Sequence, residues 1–292
     1  MKDPMFSKTI QRIRKTVKNA IECKIVFGAI LALFVLNGLG SAQSGTTPTA
    51  TETSPRQHAP IRLHRLVPGG VESENWSGYT VTGSEFTAAN GSWHVPEVQC
   101  NKTPNTFSSF WVGIDGYPQT NVTLEQIGTS SYCNGTTPVY FAWYEFIPNN
   151  PTEVTITNFP VVAGDVIGAS VTYSDGKFTV GIHNHNTGQE FHKTVKVAGA
   201  QRISAEWIAE APSNTSGGIL PLADFDVANF GFDYTADSNT NTARDSSTHG
   251  PISDFGSDVV EITMVSSKNV VEAVPTSLTK DGTSFRVHWK SE

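Results

Sequence analysis

From Glu72 to Glu292 the chain falls into short runs rich in Val, Ile, Thr, Tyr, Phe and Trp, separated by Gly, Asn, Asp and Pro, and no stretch sustains a 3.6-residue apolar period. Runs of this kind cut by turn residues are the signature of strands joined by tight turns. Gly164-Asp165, Ser174-Asp175-Gly176 and Asn186-Thr187-Gly188 punctuate one such series, so Val166 to Tyr173, Phe178 to His183 and Glu190 to Val197 are expected to be consecutive hairpin strands. About 220 residues suit one large β domain. The pattern predicts an all-β fold, an antiparallel two-sheet β-sandwich.

The N-terminal residues follow a different rule. Lys2, Lys8, Arg12, Arg14, Lys15, Lys18 and Lys24 face only Asp3 and Glu22, and an apolar run from Ile25 to Leu39 follows. That run is shorter than the roughly 20 residues a membrane span needs, and Gly40-Ser41-Ala42 supplies the small residues a signal peptidase accepts. Residues 1–42 therefore read as a secretory signal peptide cut after Ala42, with an uncleaved anchor as the alternative, and the rest as a secreted, extracellular protein. Residues 43–71 begin Ser-, Thr- and Pro-rich and lack apolar periodicity, as a linker or propeptide does. Arg56, His58, Arg62, His64 and Arg65 gather there against Glu52. A basic segment beside an acidic domain would dock near neutrality and loosen in acid, which is one way a propeptide restrains an enzyme. The domain itself is expected at 72–292.

Beyond residue 42 stand 13 basic and 25 acidic residues, a net charge of −12. Phosphate recognition needs clustered Lys and Arg, so no nucleic-acid partner is implied. Few basic groups also limit positive self-repulsion once carboxylates protonate. Cys23 falls within the signal, which leaves Cys100 and Cys133 as an even pair in an oxidising compartment, and a disulfide between them is expected. No Cys/His spacing suggests zinc. His183-Asn184-His185 reads as the edge of a hairpin, and neither a metal nor a cofactor is expected. Gly-x-Ser-x-Gly, His-Glu-x-x-His and Asp-Thr-Gly are missing from the sequence.

Side chains alternate faces along a strand, so residue parity predicts what each polar group sees. Near the end of one run Ala205, Trp207 and Ala209 share an apolar face while Glu206, Ile208 and Glu210 share the other, which is either plain solvent or a cleft. In another, Gln126 shares its parity with the apolar Val122 and Leu124, and an amide on such a face must find a hydrogen bond. Glu145 lies in phase with Val139, Phe141, Trp143 and Ile147; buried there its pKa would rise, as suits an acid group, although a structural carboxylate fits as well.

Five segments in order resemble the glutamic peptidases, or eqolisins. They are Glu74-Asn75-Trp76-Ser77-Gly78-Tyr79, Trp111-Val112-Gly113-Ile114-Asp115-Gly116, Leu124-Glu125-Gln126-Ile127-Gly128, Ala142-Trp143-Tyr144-Glu145-Phe146 and Ala205-Glu206-Trp207-Ile208-Ala209-Glu210. The resemblance, to a divergent member, implies a lectin-like jelly-roll sandwich whose concave face holds protein or peptide substrates, and a pepstatin-insensitive acid endopeptidase. It places the catalytic glutamine at Gln126, with Gln119 as a rival, and the catalytic glutamate at Glu210 rather than Glu206. Trp111, Asp115 and Glu145 are implied as substrate-binding or supporting residues. A monomer without membrane contact after signal cleavage is expected. Two other readings remain for such a fold: a carbohydrate-binding module using Trp76, Trp93, Trp111 and Trp143, and a glycosidase using Glu206 and Glu210. Two carboxylates four residues apart on a strand lie roughly 13 Å apart, too far for the glycosidase geometries.

Overall fold

The computed structural model describes residues 56–238 and 240–292. The expected signal peptide, its cleavage site and residues 43–55 of the expected linker lie outside them. The described chain is nearly all β. Its strands are β1 (Arg56–Gln57), β2 (Leu63–Val67), β3 (Gly70–Ser73), β4 (Trp76–Thr82), β5 (Ala88–His94), β6 (Phe107–Asp115), β7 (Leu124–Asn134), β8 (Thr137–Ile147), β9 (Asn150–Thr155) and β10 (Val166–Ser174). They continue with β11 (Lys177–Asn184), β12 (Gln189–Val195), β13 (Ser204–Glu210), β14 (Ser213–Asn214), β15 (Val227–Phe230), β16 (Thr242–Arg244), β17 (His249–Pro251), β18 (Val259–Val265), β19 (Val271–Pro275) and β20 (Phe285–Trp289).

Two layers face each other. One runs β9-β8-β7-β6-β13-β4-β18, with β3 and β2 beyond, and the other runs β12-β11-β10-β5 and continues through β15 and β20 to β19. Strand β19 also pairs with β18, so the layers join along one side. Among the named strand pairings only β3 with β18 is parallel. The expected hairpin series is β10-β11-β12, and its first turn places Asp175 and Gly176 at φ 53° and 75° between the paired Ser174 and Lys177. Two positive φ values in a two-residue loop match the right-handed twist of the flanking strands, which is why the sequence has Asp-Gly there.

The main core fills the space between the layers. Phe110, Val112, Ile114, Ile127, Ala205 and Trp207 from the first layer meet Trp93, Ile167, Val171, Val180, Phe230 and Phe285 from the second. A smaller apolar cluster lies on the outer face of the first layer, where Trp76, Trp111, Leu124, Trp143, Ile208 and Ile262 are covered by Ile61 and Leu63 of the N-terminal segment. The ordered fold thus starts upstream of Glu72: β2 pairs with β3, and Ile61 N–H donates to Gly116 O. Apolar side chains at Ile61, Leu63 and Val71 explain the docking, and their spacing is too irregular to register as a strand in the sequence. Cys100 and Cys133 form a disulfide that ties the loop before β6 to the end of β7.

Candidate active site

The site lies on the outer face of the first layer, and alternation along four neighbouring strands builds it. Phe110 and Val112 of β6, Ile127 of β7, Ala142 and Phe146 of β8, and Ala205, Trp207 and Ala209 of β13 point into the main core. Their neighbours in phase, among them Trp111, Leu124, Trp143 and Ile208, therefore point outward. The same phase brings Gln126, Glu145 and Glu210 to that outer face. Gln126 stands opposite Glu145 on one side and Gly113 on the other, while Glu210 stands opposite Ser109. Gln126 and Glu210 are thus on a diagonal with Trp111 midway. Room for that indole comes from Gly128, where a Cβ would sit 2.6 Å from Trp111 Cβ and 2.4 Å from Phe110 O.

Gln126, Glu145 and Glu210 are fully buried beneath the N-terminal segment, whose His58 is fully buried against them. Trp111 Nε1 donates to Glu210 Oε2 at 2.8 Å, and His58 Nδ1 meets the same oxygen at 2.9 Å. Burial raises the Glu210 pKa above the ordinary carboxylate value, and the His58 charge and the His58 and Trp111 hydrogen bonds pull it part of the way back. The Trp76 indole adds to that pull, although its Nε1 lies outside hydrogen-bond geometry. Gln126 Nε2 donates to the main-chain carbonyl of His58 at 2.8 Å and, at 3.4 Å, to Glu145 Oε2. Glu145 Oε2 also accepts the His58 main-chain N–H at 3.0 Å. Burial pushes the Glu145 pKa up to about 8, partly offset by His58. An uncharged Glu145 beside the amide leaves Gln126 free to direct its N–H at an oxygen that becomes negative.

Other residues singled out by sequence lie elsewhere. Asp115 is fully buried and accepts main-chain N–H bonds from Gln201, Arg202 and Ile203, together with bonds from Asn121 and Thr123. These bonds tie the loop after β6 to the loop before β13. Glu206 is bonded to Thr80 Oγ1 at 3.3 Å, and Gln119 is exposed on the loop after β6. Trp76, Trp93, Trp111 and Trp143 have no exposed surface, and the face of Trp143 is covered by the stacked His58 ring. The His183 and His185 rings lie tilted against each other, centroids 4.3 Å apart, at and just past the end of β11, and no group of three or more His, Cys, Asp or Glu residues able to hold a metal ion occurs among the described residues.

Two residues at the site fall outside the candidates of the sequence. His58 lies in the basic segment read as linker or propeptide, and Glu153 follows Asn149-Asn150-Pro151, which resembles a turn. The basic character of residues 56–65 was the one available signal for the first.

The arrangement joins a carboxylate held by an indole N–H to an amide donating to a peptide carbonyl. A family model described as "Peptidase A4 family" matches residues 74–277. The chain belongs to the Peptidase A4 family. Scytalidopepsin B of Scytalidium lignicola is 28% identical over 221 residues, covering 70% of this chain and 82% of that protein. The crystal structure of scytalido-glutamic peptidase with a transition state analog inhibitor superposes with a TM-score of 0.60 at 24% identity, over 74% of this chain and 98% of that one. Aspergilloglutamic peptidase from Aspergillus niger gives 0.51 at 23% identity, over 63% and 99%. The sandwich and the eqolisin resemblance are both borne out. This Peptidase A4 member is a glutamic-type endopeptidase, and its substrates are proteins or peptides.

Proposed function

We propose that the chain is a secreted, acid-active endopeptidase whose catalytic pair is Gln126 and Glu210. The observation that carries this reading is the hydrogen bond from Gln126 Nε2 to a main-chain carbonyl, 2.8 Å long, beside a carboxylate that reaches the same residue. Replace that carbonyl with the scissile one of a substrate and the chemistry follows. Glu210, ionised, takes a proton from water as the water oxygen attacks the carbonyl carbon. The carbonyl π electrons move onto oxygen, and Gln126 donates its N–H to the developing oxyanion, a contribution of about 2.7–4 kcal/mol for a comparable single donor. Collapse of the tetrahedral intermediate breaks the C–N bond, and the protonated Glu210 delivers its proton to the leaving nitrogen.

An amide does not titrate, so the oxyanion donor persists in acid, where a histidine base is protonated. Glu145 holds the amide in place, and Trp111 supports the charged form of Glu210. Export is supported by the N-terminal charge and hydropathy pattern and by the Cys100–Cys133 disulfide, because such bonds persist in oxidising compartments. The test is cleavage of an acid-denatured protein from about pH 2 to 7 with pepstatin present, comparing the wild type with Glu210→Gln and Gln126→Ala. Acid-peaked, pepstatin-resistant activity that falls roughly 10²–10⁴-fold in Glu210→Gln and 10²–10³-fold in Gln126→Ala is the expected result. Activity untouched by either change places the chemistry elsewhere.

A further inference from the structure

The outer face of the second layer, across the main core from the cleft, carries a cavity of about 280 Å³. Ala169 of β10 and Val180 and Ile182 of β11 turn into that core, so Gly168, Ser170, Gly181 and His183 turn outward. Strand pairing arranges the cavity lining in two rows, Glu190, His183 and Gly168 in one and His192, Gly181, Ser170 and Asn90 in the other. His185, just past β11, lies over the first row with its Nε2 3.1 Å from Asp237 Oδ2. A glycine in each row is what admits these side chains. A Cβ on Gly181 would stand 2.6 Å from His192 Nδ1 and 3.2 Å from Ser170 Oγ, and one on Gly168 would stand 3.0 Å from His185 Nε2 and 2.6 Å from Asp237 Oδ2. Among the described residues, the ring nitrogens of His183 and His192 and the Ser170 hydroxyl have no hydrogen-bond partner. Three imidazoles and a hydroxyl thus converge on one hollow with donors to spare.

We propose that His183, His185, His192 and Ser170 form a binding site for an anionic phosphate or sulfate group, filled in acid and separate from the catalytic cleft.

The charge of the lining sets the sign. An imidazole gains its proton below about pH 6.5 and then donates from both nitrogens. The carboxylates facing these rings are Glu190 on β12, opposite His183, and Asp237, beside His185; the cavity is lined by no other ionisable side chain among the described residues. Three imidazolium groups against two carboxylates leave an excess of positive charge, and that excess grows as carboxylates take up protons in stronger acid. The same acid selects the ligand. A carboxylate ligand loses its charge near its ordinary pKa of about 4, whereas a phosphate monoester still carries negative charge below its second pKa of about 6. Several N–H and O–H donors around one hollow also match an anion that offers three acceptor oxygens.

The test is calorimetric titration of the full chain with sodium sulfate and with O-phosphoserine. Sulfate keeps its charge across the range, so its titration reports the protein's own, and its affinity should tighten about tenfold or more from about pH 7.5 to about pH 5. At the lower pH His183→Gln and His192→Gln should each weaken both ligands about fivefold or more. Lys177→Gln, on the same face of β11 but outside the cavity, should weaken them less than about twofold. In the unaltered protein the ring resonances of His183 and His192 should move when sulfate is added while those of His249 and His288 stay, a readout that needs no variant to fold. Affinity indifferent to pH overturns the site, as do unmoved His183 and His192 resonances. An equal loss in Lys177→Gln overturns it too, because the attraction is then diffuse. A phosphoserine peptide identifies the source of the group: binding tighter than that of O-phosphoserine points to phosphorylated proteins, equal binding to the free ion, and binding of neither sinks the proposal. No readout uses turnover, so the result stands whatever the variants of Gln126 and Glu210 show.

Discussion

Glu206 and Glu210 occupy the same strand, the same face and the same depth, and both are fully buried. Their neighbours make them different acids. Glu206 accepts a hydrogen bond from Thr80 Oγ1 and lies near the carboxyl groups of Asp115 and Glu125, so burial first and like charge second raise its pKa well above the ordinary value. Glu210 has an imidazole and an indole N–H at one oxygen, which offset part of its burial. Burial alone makes a carboxyl group neutral; donors aimed at it make it available as a base. The same contrast repeats across the sheet, where Glu125 is raised by burial and by Asp115 while Gln126, next along β7, addresses the cleft.

The largest expected effect would break this comparison outright. Glu210→Gln should remove nearly all turnover, whereas Glu206→Gln, which swaps an already neutral carboxyl for an amide of the same shape, should change kcat/KM by less than about threefold. Comparable losses in both would mean that Glu206 takes part in the chemistry. Asp115 provides a stability counterpart. Asp115→Asn surrenders acceptor capacity for three main-chain N–H groups and two side chains, and a cost of about 2–4 kcal/mol is expected for breaking a buried charged network of this kind. Melting temperature should drop by about 2–4 °C per kcal/mol in a domain of this size, with kcat nearly intact in the folded fraction. A kcat loss with unchanged melting would return Asp115 to the cleft.

Trp111→Phe sharpens the role of donors. It keeps a ring in the outer cluster and deletes one hydrogen bond to a carboxylate, worth about 1.5–3 kcal/mol, so the rate should fall roughly 10–100-fold at the acid end. Losing a donor to the charged form raises the Glu210 pKa further, so the acid limb of the rate profile should move to higher pH. A profile that keeps its limb while losing height would make Trp111 a packing residue only.

The part of this site that depends on strand phase is legible in the sequence. Parity sets Gln126 and Glu145 among apolar neighbours and Glu210 on the face away from Ala205, Trp207 and Ala209, and the pairing of β6 with β7 and β13, and of β7 with β8, makes these a single face; Asp175-Gly176 marks a hairpin of the second layer. What the sequence hid depends on partners distant along the chain. Glu153 bonds to His58 across 95 positions, and nothing in Asn-Asn-Pro-Thr-Glu announces a cationic partner. Asp115 illustrates a different limit: its motif matched the family, yet a motif cannot say whether a carboxylate faces the cleft or the ends of neighbouring loops.

The smallest effect concerns stability against pH, and it extends the Glu206 argument to the whole molecule. Glu125, Glu206 and Glu145 all have raised pKa values with burial as the first cause. A raised carboxyl binds its proton in the folded state at a pH where the unfolded chain has lost it, so the folded state binds more protons and stability falls as pH rises. The stabilisation is complete below the ordinary carboxylate value and disappears as pH climbs through the folded one, about 8 for Glu145. Glu153 works in the opposite direction, losing its contribution in strong acid. The melting temperature should therefore peak in weak acid and decline toward pH 8. Glu206→Gln should flatten the decline, because its amide cannot ionise. A melting temperature that rises from about pH 5 to 8 would show that these carboxyls are ionised in the folded protein, and the distinction between a buried acid and a supported base on β13 would collapse with it.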